Sequence, residues 1–288
     1  MGTLSDLGFG LTTAFGYGTG DFLARQASHR IGSVRVLFAL EVFGALLLLP
    51  IAFALEPGLW GPDDPWLPLV GLGAINFVAS WFLYRSFEYG VLSVVSPVVS
   101  SYPVVTAGLA YALLGERPSS LASLGIAAAL VGMVLLSQAR GHPGNPPPRD
   151  ARLGLLSAFG AFAGYGVFFV GLDLVVGPIG PVTSATVVRA VGATILLGAA
   201  AAGRFAAGRF PRDLWASLAA IVVLDEVAFL AFNFGILFGS VAIVGTMSGL
   251  FSAVTIALAA AVLRERLTSL QYAGIGAIFL GVACMALG

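Results

Sequence analysis

Four ionisable side chains stand deep inside long apolar runs: Glu41, Arg189, Asp225 and Glu226. If those runs lie in lipid, each charge costs roughly 2.5–3.5 kcal/mol on insertion scales and needs a partner or a task. An arginine can hold a carboxylate through two parallel hydrogen bonds. A carboxylate in such a place can meet an ammonium group or carry a proton. Asp21, Arg35, Arg85 and Glu88 fall nearer the ends of their runs. Neighbouring residues on a helix point about 100° apart, so at most one of Asp225 and Glu226 can look into a narrow central cavity.

Hydroxyls form a second polar set. Ser93, Ser96, Pro97, Ser100, Ser101, Tyr102, Pro103 and Thr106 share one apolar run, and Gly245, Thr246, Ser248, Gly249, Ser252 and Thr255 share another. The two prolines remove backbone hydrogen bonds and are expected to kink their helix. The freed carbonyls and nearby hydroxyls then line a polar cavity. The alternative is close helix packing through small residues, as at the Gly245–Gly249 and Gly16–Gly20 spacings. Tyr17, Trp81, Tyr84, Tyr102 and Tyr165 are candidate aromatic walls, with packing or interfacial anchoring as the alternative. Glu116 and Glu265 read as turn or cap residues. His29 and His142 fall in polar loops and Cys284 is the single cysteine, so no metal site, cofactor or internal disulfide is expected.

The elements that must position these groups follow from composition. Of 288 residues, 58% are hydrophobic and 10% charged, with mean hydropathy +0.98. Soluble domains use about 25% charged residues, so lipid must be the solvent here. A net charge of zero excludes a basic nucleic-acid surface. The start of the chain reads as a first spanning helix, with no cleavable signal. A spanning helix needs about 20 apolar residues, and ten such segments are predicted. They are Leu7–Ala24, Gly32–Leu55, Trp66–Phe87, Val91–Leu114, Leu121–Gln138, Leu153–Leu172, Val182–Gly203, Leu214–Leu237, Val241–Leu263 and Leu270–Leu287. The runs are long and do not alternate, which favours helices over barrel strands.

The polar, proline-rich stretch Arg140 to Arg152 divides the chain at its midpoint. Across it the sequence repeats. Gly10, Gly16 and Gly20 match Gly154, Gly160 and Gly164; Ile31-Gly32 matches Ile179-Gly180; Gly44-Ala45 matches Gly192-Ala193. Leu114 to Arg117 matches Leu263 to Arg266, and Gly125 and Gly132 match Gly274 and Gly281. The matches run in order, the offset growing from 144 to 149 residues. The reading is an all-α integral membrane protein of ten transmembrane helices in two inverted five-helix repeats, 1–139 and 153–288, with linker 140–152. Five is odd, so the halves cross in opposite senses, an architecture that places a solute site between them near the midplane. The equivalent positions differ chemically: Glu41 against Arg189, Asn76 against Asp225, Pro103 against Ser252.

Loops between segments 1–2, 3–4, 5–6, 7–8 and 9–10, with their helix ends, hold twelve arginines from Arg25 to Arg266. The other side holds Arg117 with Glu56, Asp63 and Asp64. The positive-inside rule then puts the linker in the cytoplasm and both termini outside.

The arrangement resembles the EamA family of the drug/metabolite transporter superfamily over nearly the whole chain. Pro103 opening a stretch that ends in Gly115-Glu116-Arg117, then a helix with Gly125 and Gly132, looks like the family's fourth helix, Gly-Glu turn and fifth helix. Leu263 to Arg266 with Gly274 and Gly281 is similar in the second half. Arg189 lies where the family often has an arginine, and Tyr17-Gly18 where it often has Trp-Gly. Ser252 and Glu41 depart from the pattern, as does the arginine bias, since members usually keep both termini in the cytoplasm.

The resemblance implies a ten-helix exporter or exchanger of small metabolites, similar to the neutral and aromatic amino-acid exporters. It implies a central cavity lined by segments one to four and six to nine, with segments five and ten peripheral. The candidate cavity residues are Tyr17, Glu41, Asn76, Tyr84, Ser100, Tyr102, Tyr165, Arg189, Asp225, Asn233, Thr246 and Ser248; the proton-coupling candidates are Glu41, Asp225 and Glu226. Arg189 and Glu41 either grip opposite ends of a zwitterion or pair with each other, or with Asp225, to make the bundle insertable. Another metabolite, a drug-like solute, or a non-transporting scaffold or receptor are the alternatives. An enzyme lacks its nucleophile with a base, and a channel lacks a ring of like charges. The expected setting is the inner cell membrane, with a small solute and lipid as partners. One chain holds both halves of a site, so a monomer is expected.

Overall fold

The computed structural model describes residues 3–57, 64–90, 95, 98–115, 117–137, 150–206, 208–263 and 268–287. Ser93, Ser96, Pro97, Glu116, most of the linker with His142, and Arg264 to Arg266 lie outside the described residues. Eleven helices are seen among them: α1 (Thr3–Ile31), α2 (Ser33–Leu55), α3 (Trp66–Tyr89), α4 (Tyr102–Leu109), α5 (Ser120–Ser137), α6 (Ala151–Ile179), α7 (Pro181–Ala201), α8 (Trp215–Phe238), α9 (Val241–Ser248), α10 (Phe251–Leu263) and α11 (Ser269–Leu287).

Five are long and apolar enough to cross a membrane: α2, α3, α6, α7 and α8 with its 3₁₀ lead-in from Arg212. Helix α1 is as long as α6, but Thr12, Thr13, Thr19 and Asp21 dilute its apolar character. Helices α5 and α11 carry shorter apolar stretches, and the fourth and ninth segments are interrupted. Exposed side chains such as Leu67, Leu113, Phe279 and Leu280 give the bundle a greasy exterior.

Two expectations about helix ends are corrected. Helices α1 and α6 run past Ala24 and Leu172 to Ile31 and Ile179. Arg25–Ile31 holds no glycine or proline, and α6 runs on through Gly177-Pro178, so both helices end only at Gly32 (φ 87°) and Gly180 (φ 95°). Those repeat-equivalent glycines each turn the chain in one residue, in backbone that a side chain would strain.

Pro103 does not kink a continuous helix. It lies in the first turn of α4, where a missing N–H costs nothing. The run then widens into a π-helical turn, Ala110–Leu114, and stops at Gly115 (φ 69°). The ninth segment breaks at the matching place, Gly249-Leu250, between α9 and α10. The two breaks face each other: a Cβ on Gly249 would sit 2.6 Å from the Pro103 ring and 3.1 Å from the Ser100 carbonyl oxygen.

The largest packing faces join one repeat to the other. Helix α1 lies on α8 and α3 on α6, while α2 lies on α7 and α5 on α11. Gly16 approaches Ala228, and Gly164 approaches the repeat-equivalent Ala79. Between α5 and α11, Gly125 meets Gly281 and Gly132 meets Gly274, backbone against backbone, each contact the symmetry mate of the other. Neither half therefore buries a core alone. Helices α5 and α11 pack chiefly on each other, away from the centre.

The helix ends are tied across the repeats as well. Glu56, just past α2, accepts from the Val182 and Thr183 amides at 3.1 and 2.7 Å and so caps α7. Asp6 of α1 accepts from the Ser240 amide at 3.4 Å. Its repeat counterpart Asp150 caps α6 and donates its own amide to the Tyr89 carbonyl at 3.2 Å.

Candidate functional site

A cavity lies where the repeats meet. Helix α1 supplies Tyr17 and Asp21, α2 Leu40, and α3 Asn76, Ser80, Leu83 and Tyr84. Tyr102 comes from α4, Tyr165 and Phe169 from α6, Arg189 from α7, Asp225 and Phe229 from α8, and Phe251 from α10. Eight of these side chains form four repeat-equivalent pairs: Asp21 with Tyr165, Asn76 with Asp225, Ser80 with Phe229, and Tyr102 with Phe251. The members of each pair differ in charge or in hydrogen-bonding capacity. The scaffold is symmetric, but the lining is not.

One guanidinium anchors the wall. Arg189 Nη2 donates to Asp225 Oδ2, Nε lies 2.7 Å from Glu226 Oε1, and Nη1 lies 3.7 Å from Glu41 Oε1. The Glu226 contact is a charge contact, its angle falling outside hydrogen-bond geometry. The Phe229 ring covers the guanidinium at 5.1 Å. Room for this comes from two glycines: a Cβ on Gly192 would collide with the Glu41 carboxylate, and one on Gly44 with Glu226 Oε1. Of the adjacent acids, Asp225 lines the cavity and Glu226 turns into the α2–α8 packing.

The cavity reaches from mid-helix positions toward the Ile31, Ser33 and Tyr89 ends, through Asp21, Leu40, Ser80 and Tyr84. Toward the other ends it stops on aromatic rings. The Phe169 ring is tilted against Phe232 and Phe168, centroids 4.2 and 5.1 Å away, and Phe168 meets Phe229 at 6.0 Å. Phe168 and Phe232 are fully buried. Their repeat counterparts are Ala24 and Leu83, so the repeat-equivalent positions at the other end carry no matching pair of rings. Hydroxyls fix the tyrosines: Tyr165 pairs with Ser80 at 3.0 Å, and Tyr102 with Ser248, which itself donates to the Gly245 carbonyl at 2.8 Å.

Of the sequence candidates, Tyr17, Asn76, Tyr84, Tyr102, Tyr165, Arg189 and Asp225 come together on this cavity. Glu41 and Glu226 lie behind it, reaching it only through Arg189. The remaining four do structural work elsewhere in the packing. Ser100 sits under Gly249, Thr246 donates to its own helix at Ala242, and Ser248 holds Tyr102. Asn233 donates to the Pro181 carbonyl at 2.8 Å. Nor does Arg189 offer a free fork for a solute carboxylate, because each of its nitrogens already faces a carboxylate of the protein.

Asp21, Leu40, Ser80, Leu83, Phe169, Phe229 and Phe251 line the cavity without having been candidates. Asp21 looked terminal because its segment was expected to stop at Ala24. With α1 continuing to Ile31, it stands ten residues inside, about 15 Å from the end. The signal was available: the 144-residue offset maps Asp21 onto Tyr165. Among the described residues, no His, Cys, Asp and Glu side chains form a metal-binding group of three or more.

A crystal structure described only as that of a protein is similar over 98% of this chain and 96% of its own, with TM-score 0.79 and 18% identity. That likeness is one of fold. No curated protein matches the chain. The family model described as "EamA-like transporter family" matches twice, over residues 5–138 and 152–287. Those two matches coincide with the two interlocked halves, and the chain belongs to the EamA-like transporter family, a family of multi-pass membrane proteins that carry small solutes.

Proposed function

We propose that this chain is a secondary transporter of small organic metabolites, working by alternating access around the cavity between its repeats. The supporting observation is the cavity itself. Its walls are drawn from both halves at repeat-equivalent positions, and Phe168 and Phe232 back it at one end. Exchanging the conformations of the two repeats would close the Ile31 side and draw apart Phe168, Phe169, Phe229 and Phe232. In this reading all ten predicted segments cross the inner membrane, the discontinuous fourth and ninth meeting at the midplane. The arginine-rich linker side faces the cytoplasm.

Amino acids, neutral or aromatic, are the solutes to test first, since the family resemblance implies them and tyrosine rings wall the site. Coupling is proposed to run through the carboxylates around Arg189. One guanidinium faces Glu41, Asp225 and Glu226, and a proton shared there would relieve the excess negative charge. The test is counterflow of labelled amino acids in proteoliposomes. Uptake above protein-free vesicles, accelerated by the same solute inside, is the expected result. No counterflow for any solute in a broad metabolite panel would sink the transporter reading.

A further inference from the structure

Asp21 is the carboxylate that the ion cluster does not use. It is 92% buried (8% exposed), it lines the cavity, and it makes no hydrogen bond or ion pair among the described residues. The other wall carboxylate, Asp225, is bound to Arg189. Arg189 is itself committed to three protein carboxylates. The lining therefore holds an acid with no cation, and no cation left for an acid. A buried ionised carboxylate is costly unless paired. Around it stand Tyr17, Tyr84 and Tyr165, and aromatic faces attract cations, most strongly where water is excluded.

We propose that Asp21 is the ion-pair acceptor for the positive group of a small organic cation, an amine or quaternary ammonium, whose apolar body rests on Phe169, Phe229 and Phe251. This rests on the solute-cavity reading above and adds the chemical class: the site reads a solute's cationic group and has nothing for its carboxylate. The repeat supports the choice of residue. Asp21 and Tyr165 are equivalent positions facing one space, so duplication has produced a carboxylate on one side of the solute and an aromatic wall on the other.

Three matched probes test it on the purified full chain in nanodiscs: 2-phenylethylamine, phenylalanine and 3-phenylpropionate. The expected order by titration calorimetry is amine tightest, amino acid at least tenfold weaker, and the anion not bound. Asp21→Asn should weaken the amine at least tenfold without lowering the melting temperature, since it removes an unpaired buried charge. If D21N is not recovered folded, Asp21→Glu keeps the charge and must keep the order. Tighter binding of phenylalanine or 3-phenylpropionate, or an unchanged amine affinity in D21N, overturns the proposal. So does amino-acid counterflow in a protein that binds no amine, an outcome that leaves the transporter reading standing. Absence of all counterflow instead removes that underlying reading.

Discussion

The carboxylate of Glu41 on α2 lies in space that a Cβ on Gly192 of α7 would fill. Glycine and acid belong to opposite repeats. The symmetry mate of this contact is Arg189 against Gly44, where a Cβ would meet the arginine Cδ at 3.5 Å. Two equivalent glycines thus open room for two equivalent positions that carry opposite charge, and Arg189 and Glu41 face each other across the axis.

Filling that room should be expensive. Gly192→Ala is expected to displace Glu41 and destabilise the bundle by about 1–3 kcal/mol, the usual cost of overpacking. Gly44→Ala should do the same through Glu226. Thermal unfolding followed by size-exclusion fluorescence in detergent measures both. A variant at either site that melts like the parent would show the cluster to be more pliable than its geometry implies.

Removing Arg189 leaves three carboxylates facing one another. Arg189→Gln is expected to cost about 3–5 kcal/mol, the range for breaking a buried pair. Adding Glu226→Gln to that variant should recover part of the loss, because one repelling charge is gone. The double variant being less stable than Arg189→Gln alone would contradict the charge account.

The glycine contacts of α5 and α11 separate scaffold from cavity. Gly281→Leu forces a side chain against the Gly125 carbonyl oxygen and the Ala129 amide, each 2.7 Å from the built Cβ. The melting temperature should fall, while solute affinity in the remaining folded protein stays at the parent value. A changed affinity with unchanged stability would reverse that assignment.

The aromatic barrier makes a further prediction. Phe232→Ala should destabilise by about 3–5 kcal/mol as a buried aromatic truncation. It should also raise uncoupled solute leak in proteoliposomes, because Phe232 backs the Phe169 ring at 4.2 Å. Lost stability with no rise in leak would make these rings packing alone.

Orientation is open to a direct check. Reporter fusions after Gly288 should give an external signal if the arginine bias governs insertion. A cytoplasmic signal would turn the protein over and place the Asp21 and Tyr84 end of the cavity outside.

How much of the site was legible shows residue by residue. The offset between the halves pairs Glu41 with Arg189, which meet beside the cavity, and Asn76 with Asp225, which both line it. Asp21 reads as terminal because polar residues after Ala24 look like a loop, although none of Arg25 to Ile31 stops a helix. Ser100, Asn233 and Thr246 were expected in the cavity and are spent on packing and helix ends. Hydropathy cannot make that distinction. A helix apolar on every side has no stripe to reveal its rotation, so a hydroxyl on it reads the same whether it faces a neighbour or a cavity.

The sequence by itself determined the lipid setting, the helical class and the duplication, because each depends on composition or on order along the chain. It also marked the charged positions that burial would force into partnership. Only the tertiary structure decided which acid Arg189 binds, that Pro103 opens a helix instead of bending one, and that Asp21 lines the cavity without a partner. Those outcomes depend on how the two repeats rotate and interlock. Neither half buries a core alone, so contacts far apart in the chain settle what each polar side chain faces.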